Sequence, residues 1–171
     1  QRFALDTIIA KVYTPVIPPY MINRKSYEEV TDLADFEKVM YKIEDDDAYL
    51  IATAEHPMAA MYQDEIFEEQ DLPLKMVGVS PCFRREIGAH GLDSRGLFRV
   101  HQFTKIEQFI YCMPEDSWKY HEELLANAEE IFTKLELPYH VVNICTGDIG
   151  TVAAKKYDIE AWMPRDNEYR E

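Results

Sequence analysis

The stretch CFRREIGAHGLDSRGLFRVHQF, residues 82–103, decides the fold of this sequence. Two segments rich in strand-forming residues flank a loop, Ile87 to Gly96, that contains Gly88, Gly91 and Gly96. Hairpin loops normally take roughly two to five residues, so this loop of about ten is unusually long. A long loop beside charged strands is typical of substrate binding. The stretch therefore predicts two long strands joined by a substrate loop.

The charged side chains of these strands are predicted to share one face of the sheet, because side chains alternate faces along a strand. Arg84 and Glu86 fall on one face of the first strand. An arginine there can bind phosphate oxygens, a carboxylate can accept from an amino group, and an exposed Phe can stack on a base. The alternative is a solvated face with cross-strand ion pairs. On the second strand the shared face carries Arg99, His101, Phe103, Lys105, Glu107 and Phe109, and the opposite, apolar face, expected to pack against helices, carries Val100, Ile106 and Ile110.

The remaining chain predicts an α+β fold with a largely antiparallel sheet, because strands and helices alternate without a strict βαβ order. The Pro-rich TPVIPPY, residues 14–20, predicts an extended path. Hydrophobic periodicity and capping signals predict helices at 3–12, within 26–43, at 54–67, at 114–137 and, after a turn, within 147–157. Strands are expected at 48–53, 74–86, 97–112, 139–146 and 158–163.

Composition places the chain among globular proteins. Its 171 residues are 47% hydrophobic and 29% charged, most simply one domain, and no apolar run is long enough to cross a membrane. Three scattered cysteines and no secretory signal predict free thiols and a cytoplasmic location. The net charge of −14 argues against binding a nucleic-acid backbone by this chain alone. No Cys-x-x-Cys or His-Glu-x-x-His pattern is present, so no zinc is expected. A P-loop, a G-x-G-x-x-G and a G-x-S-x-G motif are also absent, which argues against those phosphate-binding designs and against nucleophilic hydrolysis.

Three stretches together resemble one known family. YLIATAEHP (49–57), residues 82–109 and CTGDIGTVAAKKYDIEAWMP (145–164) are similar to the catalytic domain of seryl-tRNA synthetases of the archaeal and eukaryotic kind. The Phe-Arg-x-Glu strand, variable loop and second strand resemble motif 2 of class II aminoacyl-tRNA synthetases. The resemblance covers nearly the whole chain and implies ATP-dependent activation of L-serine, Mg²⁺, transfer of serine to tRNA(Ser) and a homodimer.

The resemblance also implies roles for individual residues. Arg84 is expected to be catalytic, holding the ATP α-phosphate and the serine carboxylate, with Arg85 beside it in the ATP site. Pro19 resembles the motif 1 proline of a dimer interface. The other implied roles are serine binding by Thr53, Ala54, Glu55 and Glu107, adenine binding by Glu86, by the backbone of Val100 and by the ring of Phe103, and ATP and magnesium binding by Glu171.

The expected extent is residues 1–171 as part of a catalytic domain, with the end of motif 1, the Thr53-Ala54-Glu55 segment and motif 2. The family's N-terminal tRNA-binding arm and motif 3 are expected to lie outside this chain, which alone is then an incomplete site. Two alternatives stay open: a synthetase-like module that acts by binding or dimerisation, and a ligase that loads an amino acid onto a carrier protein.

Overall fold

The computed structural model describes residues 1–33, 37–86 and 99–171. The predicted substrate loop, and residues 34–36 of the predicted helical segment, lie outside the described residues. The chain divides into two compact units, Gln1–Met113 and Pro114–Glu171, each of which is described by itself.

The first unit carries the predicted long strands. Its elements are α1 (Arg2–Ile9), β1 (Thr14–Val16), β2 (Met21–Asn23), α2 (Arg24–Val30), β3 (Ala48–Leu50), α3 (Glu55–Ala60), β4 (Leu74–Phe83) and β5 (Gln102–Tyr111), with 3₁₀ turns at Glu37–Val39 and Glu69–Asp71. The strands β4 and β5 pair antiparallel along their whole length, from Leu74 opposite Tyr111 to Phe83 opposite Gln102. The strand β1 adds to β4 in parallel, and β2 and β3 form a separate antiparallel pair.

The second unit is a helix and a small sheet. A 3₁₀ turn, Pro114–Asp116, leads into α4 (Ser117–Lys134), and an antiparallel sheet follows with the order β6 (Tyr139–Asn143), β7 (Tyr157–Met163), β8 (Glu168–Arg170). The α+β class with mostly antiparallel pairing is thus confirmed. The parallel contact of β1 with β4 is the exception. Among the described residues, no helix combines the length and apolar character needed to span a bilayer.

Two buried clusters stabilise the first unit. One is built on Tyr27 and Tyr49, which are both inaccessible to solvent and meet edge to face, with centroids 5.8 Å apart. The other is Ala54, Met58 and Met76, which join α3 to β4. The first also contains Leu33, Met40 and Ala52. Both clusters border the segment from Ala52 to Glu55, so the core holds that segment directly against the sheet.

Several predicted boundaries are wrong. The strand β4 ends at Phe83 and not at Glu86, which has a left-handed backbone with φ of 49°. The helix α3 ends at Ala60 and not at residue 67; the Tyr111 hydroxyl donates to the Met58 and Ala59 carbonyls at 2.7 and 2.9 Å. Residues 147–156 form turns and bends before β7 with no helix, because Gly147 and Gly150 disfavour one. The strands β2 and β8 were not predicted.

The predicted division of the β5 faces is wrong at one end. We expected helices to cover only the apolar face, yet α3 lies on the charged face, where Met58 packs with Phe109 and Tyr111. The reason is Gly78, which stands opposite Glu107 and has no side chain. A Cβ there would lie 2.8 Å from the Met58 Sδ and 3.1 Å from the Ala54 Cβ. The glycine therefore lets α3 approach the sheet closely.

Candidate functional site

The segment from Ile51 to Glu55 runs beside the end of β4. The Phe83 amide donates to the Ile51 carbonyl at 2.8 Å, and the Arg84 Nε donates to the Ala52 carbonyl at 3.3 Å. Ala54 is fully buried against the sheet. These contacts place the side chains of residues 53 and 55 over the charged face of β5.

Thr53, Glu55, Lys105 and Glu107 form one end of the site, which we call the Thr53 end. The Thr53 hydroxyl donates to Glu107 Oε2 at 2.9 Å, and Lys105 Nζ donates to the same hydroxyl at 3.1 Å. Lys105 Nζ also lies 2.7 Å from Glu107 Oε2. Thr53 is buried and the other two side chains are about a fifth to a third exposed. The three side chains therefore form a closed, half-buried polar network.

Burial and charge shift the pKa of two neighbours of this network. Desolvation and the Glu107 carboxylate raise the pKa of Glu55, while Lys105 opposes them. Glu55 is exposed as a residue, so solvent screens this effect. Behind it, burial with the charges of Lys105 and Arg84 lowers the pKa of His56 to about 4. The imidazole is therefore neutral at pH 7, and its ring contacts Tyr27 edge-on at 5.1 Å between centroids.

Arg84, Arg85, Glu86, Val100 and Phe103 form the other end, which we call the Arg84 end. The Arg84 amide donates to the His101 carbonyl at 3.0 Å, which continues the β4–β5 pairing by one residue. The Arg84 guanidinium carbon lies 5.2 Å from the centroid of the Phe103 ring. A cation and an aromatic ring thus stand together where the strand pair ends.

The other members of the Arg84 end lie just beyond the ends of the two strands, after β4 and before β5. Arg99 Nη1 is 3.5 Å from Glu86 Oε2, across the gap in the described chain. The side chain of Glu86 is 17% exposed. Arg85 is exposed and its amide donates to the Val39 carbonyl at 2.8 Å, whereas Val100 is half-buried and belongs to no element.

A segment from Val39 to Tyr41 forms hydrogen bonds to the chain near both ends of the site. Besides the bond from Arg85 to Val39, the Leu50 amide donates to the Tyr41 carbonyl at 2.9 Å. The Tyr41 hydroxyl bonds His101 Nδ1. Because Leu50 leads into residues 51–55 and His101 lies between Val100 and Phe103, this one segment contacts both ends of the site.

The structure brings most of the predicted site residues together in the first unit. Thr53, Glu55 and Glu107 gather at one end, and Ala54 lies beneath them as a packing residue. Arg84 and Phe103 meet at the other end, with Glu86 nearby. Pro19 is exposed and precedes β2. Glu171 is exposed at the end of the second unit, and its assigned role stays a prediction.

Two residues of the site were not predicted as site residues. Lys105 was placed on the charged face by strand alternation, but no role in the site was assigned to it. His56 gave no sequence signal, since a buried histidine in a short helix is ordinary. The alternation of Phe103, Lys105 and Glu107 was the available signal for Lys105, because all three point to the face that holds Thr53.

The arrangement suits a small zwitterion beside a nucleotide. Carboxylates and a hydroxyl at the Thr53 end can bind an ammonium group. A guanidinium at the Arg84 end can bind a carboxylate or a phosphate through paired hydrogen bonds, and the ring beside it can contact a planar base. The described residues thus offer subsites of opposite charge preference on one sheet face.

Comparisons with known proteins agree with this reading. The family model described as tRNA synthetase class II core domain (G, H, P, S and T) matches residues 39–171. The chain is 93% identical over all 171 residues to a serine–tRNA ligase of Methanocorpusculum labreanum, of which it covers 40%. The resemblance expected from the sequence is thus confirmed, and the two alternative readings are not favoured.

Two solved structures are similar over 99% of this chain. One is seryl-tRNA synthetase from Pyrococcus horikoshii complexed with ATP, with a TM-score of 0.94 and 62% identity, and this chain covers 38% of it. The other is cytoplasmic serine–tRNA ligase from Naegleria fowleri in complex with AMP, with a TM-score of 0.91 and 44% identity, of which 41% is covered. The chain therefore spans about 40% of the length of curated relatives that it matches over all its residues.

Proposed function

The chain belongs to the class II tRNA synthetase core-domain family, and on that premise we propose that it forms part of the catalytic core of a serine–tRNA ligase. The observation that carries the proposal is the 93% identity, over every residue of the chain, to a protein named serine–tRNA ligase. The side-chain arrangement of the site supports it independently, since it combines an ammonium subsite with an anion subsite.

The proposed reaction activates serine with ATP. The serine carboxylate attacks the α-phosphorus of ATP, the bond to the β-phosphate oxygen breaks, and pyrophosphate leaves to give seryl-adenylate. A carboxylate is ionised at neutral pH, so no protein base is required. Positioning and charge neutralisation are then the protein's contribution. In a second step, a hydroxyl of the terminal ribose of tRNA(Ser) attacks the carbonyl carbon of seryl-adenylate, and AMP leaves as the seryl ester forms.

Serine is proposed to bind at the Thr53 end. Glu55, Glu107 and the Thr53 hydroxyl would receive its ammonium and hydroxyl groups, over the buried Ala54. The half-buried Thr53–Glu107 bond of 2.9 Å supports this, because polar groups that are already oriented lose little entropy on binding. A pocket that bonds the serine hydroxyl should reject alanine, which leaves its polar groups unpaired.

ATP is proposed to bind at the Arg84 end. The Arg84 side chain would bridge the α-phosphate and the serine carboxylate, with Arg85 beside it. Glu86, the Val100 backbone and the Phe103 ring would bind adenine. The ATP and AMP in the two similar structures support a nucleotide site in this family.

Magnesium fits one predicted residue. The exposed carboxylate of Glu171 is a hard oxygen donor, and Mg²⁺ is usually bound by one or two carboxylates plus nucleotide phosphates. When bound, the ion would supply neutralisation of phosphate charge. We therefore assign Glu171 to ATP and Mg²⁺.

A homodimer and a cytoplasmic location complete the proposal. The exposed Pro19 follows Ile17, which is 76% exposed, and such uncovered apolar surface in the motif 1 region favours a partner subunit. The cysteines Cys82, Cys112 and Cys145 carry thiols and are not joined in disulfides, which supports a reducing compartment. The domain is proposed to hold the end of motif 1, the Thr53-Ala54-Glu55 segment and motif 2.

The deciding experiment is serine-dependent exchange of pyrophosphate into ATP. It compares the full-length protein that contains this chain, its Arg84→Ala variant, and residues 1–171 alone, with serine, threonine and alanine as substrates. We expect the full-length protein to exchange with serine and not with threonine or alanine. We expect no exchange by its Arg84→Ala variant or by residues 1–171 alone. No exchange by the full-length protein with any of the three amino acids overturns the proposal.

A further inference from the structure

Lys105 is the one cation that contacts both polar partners at the Thr53 end among the described residues. Its ammonium donates to the Thr53 hydroxyl at 3.1 Å and lies 2.7 Å from Glu107 Oε2. Thr53 in turn donates to that same oxygen at 2.9 Å. The three groups close a triangle of hydrogen bonds, so moving any one of them disturbs the other two.

The triangle fixes the direction of the Thr53 hydroxyl. A hydroxyl has one proton to donate and two lone pairs that accept. Here the proton goes to Glu107, and the Lys105 ammonium and the Glu55 amide, at 3.4 Å, approach the oxygen as donors. Without Lys105 the hydroxyl would lose its strongest donor and be free to turn.

Lys105 also balances charge where two carboxylates come together. Glu55 and Glu107 both face this end of the site, and among the described residues the charge of Lys105 is the one that lowers the pKa of Glu55 against desolvation and Glu107. The lysine is placed there by strand alternation, two residues from Glu107 on the same face of β5 and opposite Ser80 on β4. Its side chain is 34% exposed, so its bonds are partly shielded from water.

We propose that Lys105 is a positioning residue for the amino-acid subsite: its ammonium orients the Thr53 hydroxyl and the Glu107 carboxylate for the incoming amino acid. The inference rests on the proposed function, because it takes Thr53 and Glu107 as serine contacts. It adds that a lysine of the protein holds the side chains of the subsite in the geometry that binds the amino acid. Among the residues that the structure describes, the bonds of Lys105 go to Thr53 and Glu107 and not to side chains of the Arg84 end, so its effect should be confined to the amino acid.

The test is pyrophosphate exchange in the full-length protein with Lys105→Met, which keeps most of the side-chain volume and removes the charge. Loss of charge-assisted hydrogen bonds should raise the KM for serine about 10- to 100-fold. The KM for ATP should change less than about threefold, a separation that general damage to the fold would not give. Lys105→Arg keeps the charge, so its KM for serine should lie between the KM of wild type and that of Lys105→Met.

The control is Lys75→Met, the same substitution on β4. Lys75 lies on the other face of the sheet, with its ammonium 5.7 Å from the Tyr13 ring centroid, and should leave the KM for serine unchanged. If wild-type protein shows no serine-dependent exchange, the proposed function fails. If it does exchange, a Lys105→Met KM for serine within twofold of wild type, or an equal rise in both KM values, overturns the positioning role. Should Lys105→Met not fold, Lys105→Arg decides: its serine KM must rise more than its ATP KM.

Discussion

The two ends of the candidate site are held in place in different ways. At the Thr53 end, side chains bond one another over a buried segment, in the triangle of Thr53, Lys105 and Glu107. At the Arg84 end, the backbone amides of Arg84 and Arg85 are bonded, and the side chains make one ring contact, one hydrogen bond from the Arg84 Nε to the Ala52 carbonyl, and one ion pair between Arg99 and Glu86. Substitutions at the Thr53 end should therefore change stability and function together, whereas those at the Arg84 end should change mainly function.

Arg84→Ala gives the largest expected effect and tests the Arg84 end. Removing the guanidinium should lower kcat/KM for exchange by about 10²- to 10³-fold, because it takes away a donor that neutralises the reacting phosphate. The unfolding midpoint should fall by no more than about 4 °C, because the bonded Arg84 amide remains and the side chain contributes one hydrogen bond to the Ala52 carbonyl and one ring contact. Exchange kinetics with thermal unfolding of the same sample measure both.

Arg84→Lys is the matched control for charge. A lysine keeps the positive charge and loses the paired donors, so it should recover only part of the rate. A folded Arg84→Ala protein with exchange within tenfold of wild type would contradict the assignment of Arg84. A large loss of stability would instead show that the side chain, and not the backbone, supports this end.

The pH dependence of stability tests the surroundings of the Thr53 end, where His56 is buried. The pKa of His56 is lowered to about 4 in the folded protein, against 6.5 as its ordinary value. Between these values the unfolded chain binds a proton that the folded chain does not, so stability falls as pH falls from about 6.5 to about 4. This difference in the pKa of His56 corresponds to about 3 kcal/mol in the free energy of unfolding.

His56→Gln isolates this contribution. Glu55, with its raised pKa, acts in the opposite direction as pH falls, so the difference between wild type and variant is the quantity to measure. Urea unfolding at pH 7, 5.5 and 4 should show wild type losing about 3 kcal/mol more than His56→Gln. Parallel pH curves for the two proteins would mean that His56 is not held neutral by burial.

A pair of isosteric changes, Glu107→Gln and Glu86→Gln, tests the separation of the two ends most directly. Glu107→Gln removes the charge that binds Lys105 and should raise the KM for serine about 10- to 100-fold while lowering stability by about 1–3 kcal/mol. Glu86→Gln should raise the KM for ATP by about threefold to tenfold and leave stability within about 0.5 kcal/mol, because its partner Arg99 is exposed.

Exchange kinetics with each substrate varied in turn, beside urea unfolding, measure this pair. If Glu107→Gln raised the KM for serine and the KM for ATP equally, the two ends could not be separate, because they would then act as one. A larger loss of stability in Glu86→Gln than in Glu107→Gln would mean that the Arg84 end, and not the Thr53 end, contributes more to stability.

The sequence predicted the strands and the chemical types of the site better than it predicted the contacts. Strand alternation correctly put Phe103, Lys105 and Glu107 on one face, because that pattern depends on backbone geometry alone. It missed that α3 covers part of that face, since close approach at Gly78 depends on Met58 and Ala54, which are distant in sequence. The positions of Thr53 and Glu55 came from the family resemblance; their local sequence alone would have indicated only a strand end and a helix start.

The role of Lys105 was missed for a related reason. A lysine two residues from a glutamate on a strand is usually a surface ion pair of little energetic value. What changes its value here is Thr53, which lies more than fifty positions earlier and is buried beside it. Long-range contacts of this kind leave no periodic signal in a single sequence. The same holds for the bond from Tyr41 to His101, which connects residues in two separate segments.

That bond provides the smallest expected effect and the sharpest test of how the Arg84 end is supported. Tyr41→Phe removes only the hydroxyl that bonds His101, while the Tyr41 carbonyl still accepts from Leu50. The backbone between Val100 and Phe103 should then hold adenine less well, and the KM for ATP should rise about threefold, as loss of one exposed hydrogen bond predicts. The KM for serine should not change, because the Leu50 bond that supports the Thr53 end remains. His101→Ala should reproduce the ATP effect and add nothing to Tyr41→Phe in the double variant. Additive effects would mean that Tyr41 and His101 act separately, and that the backbone bonds of Arg84 and Arg85 alone hold the nucleotide end.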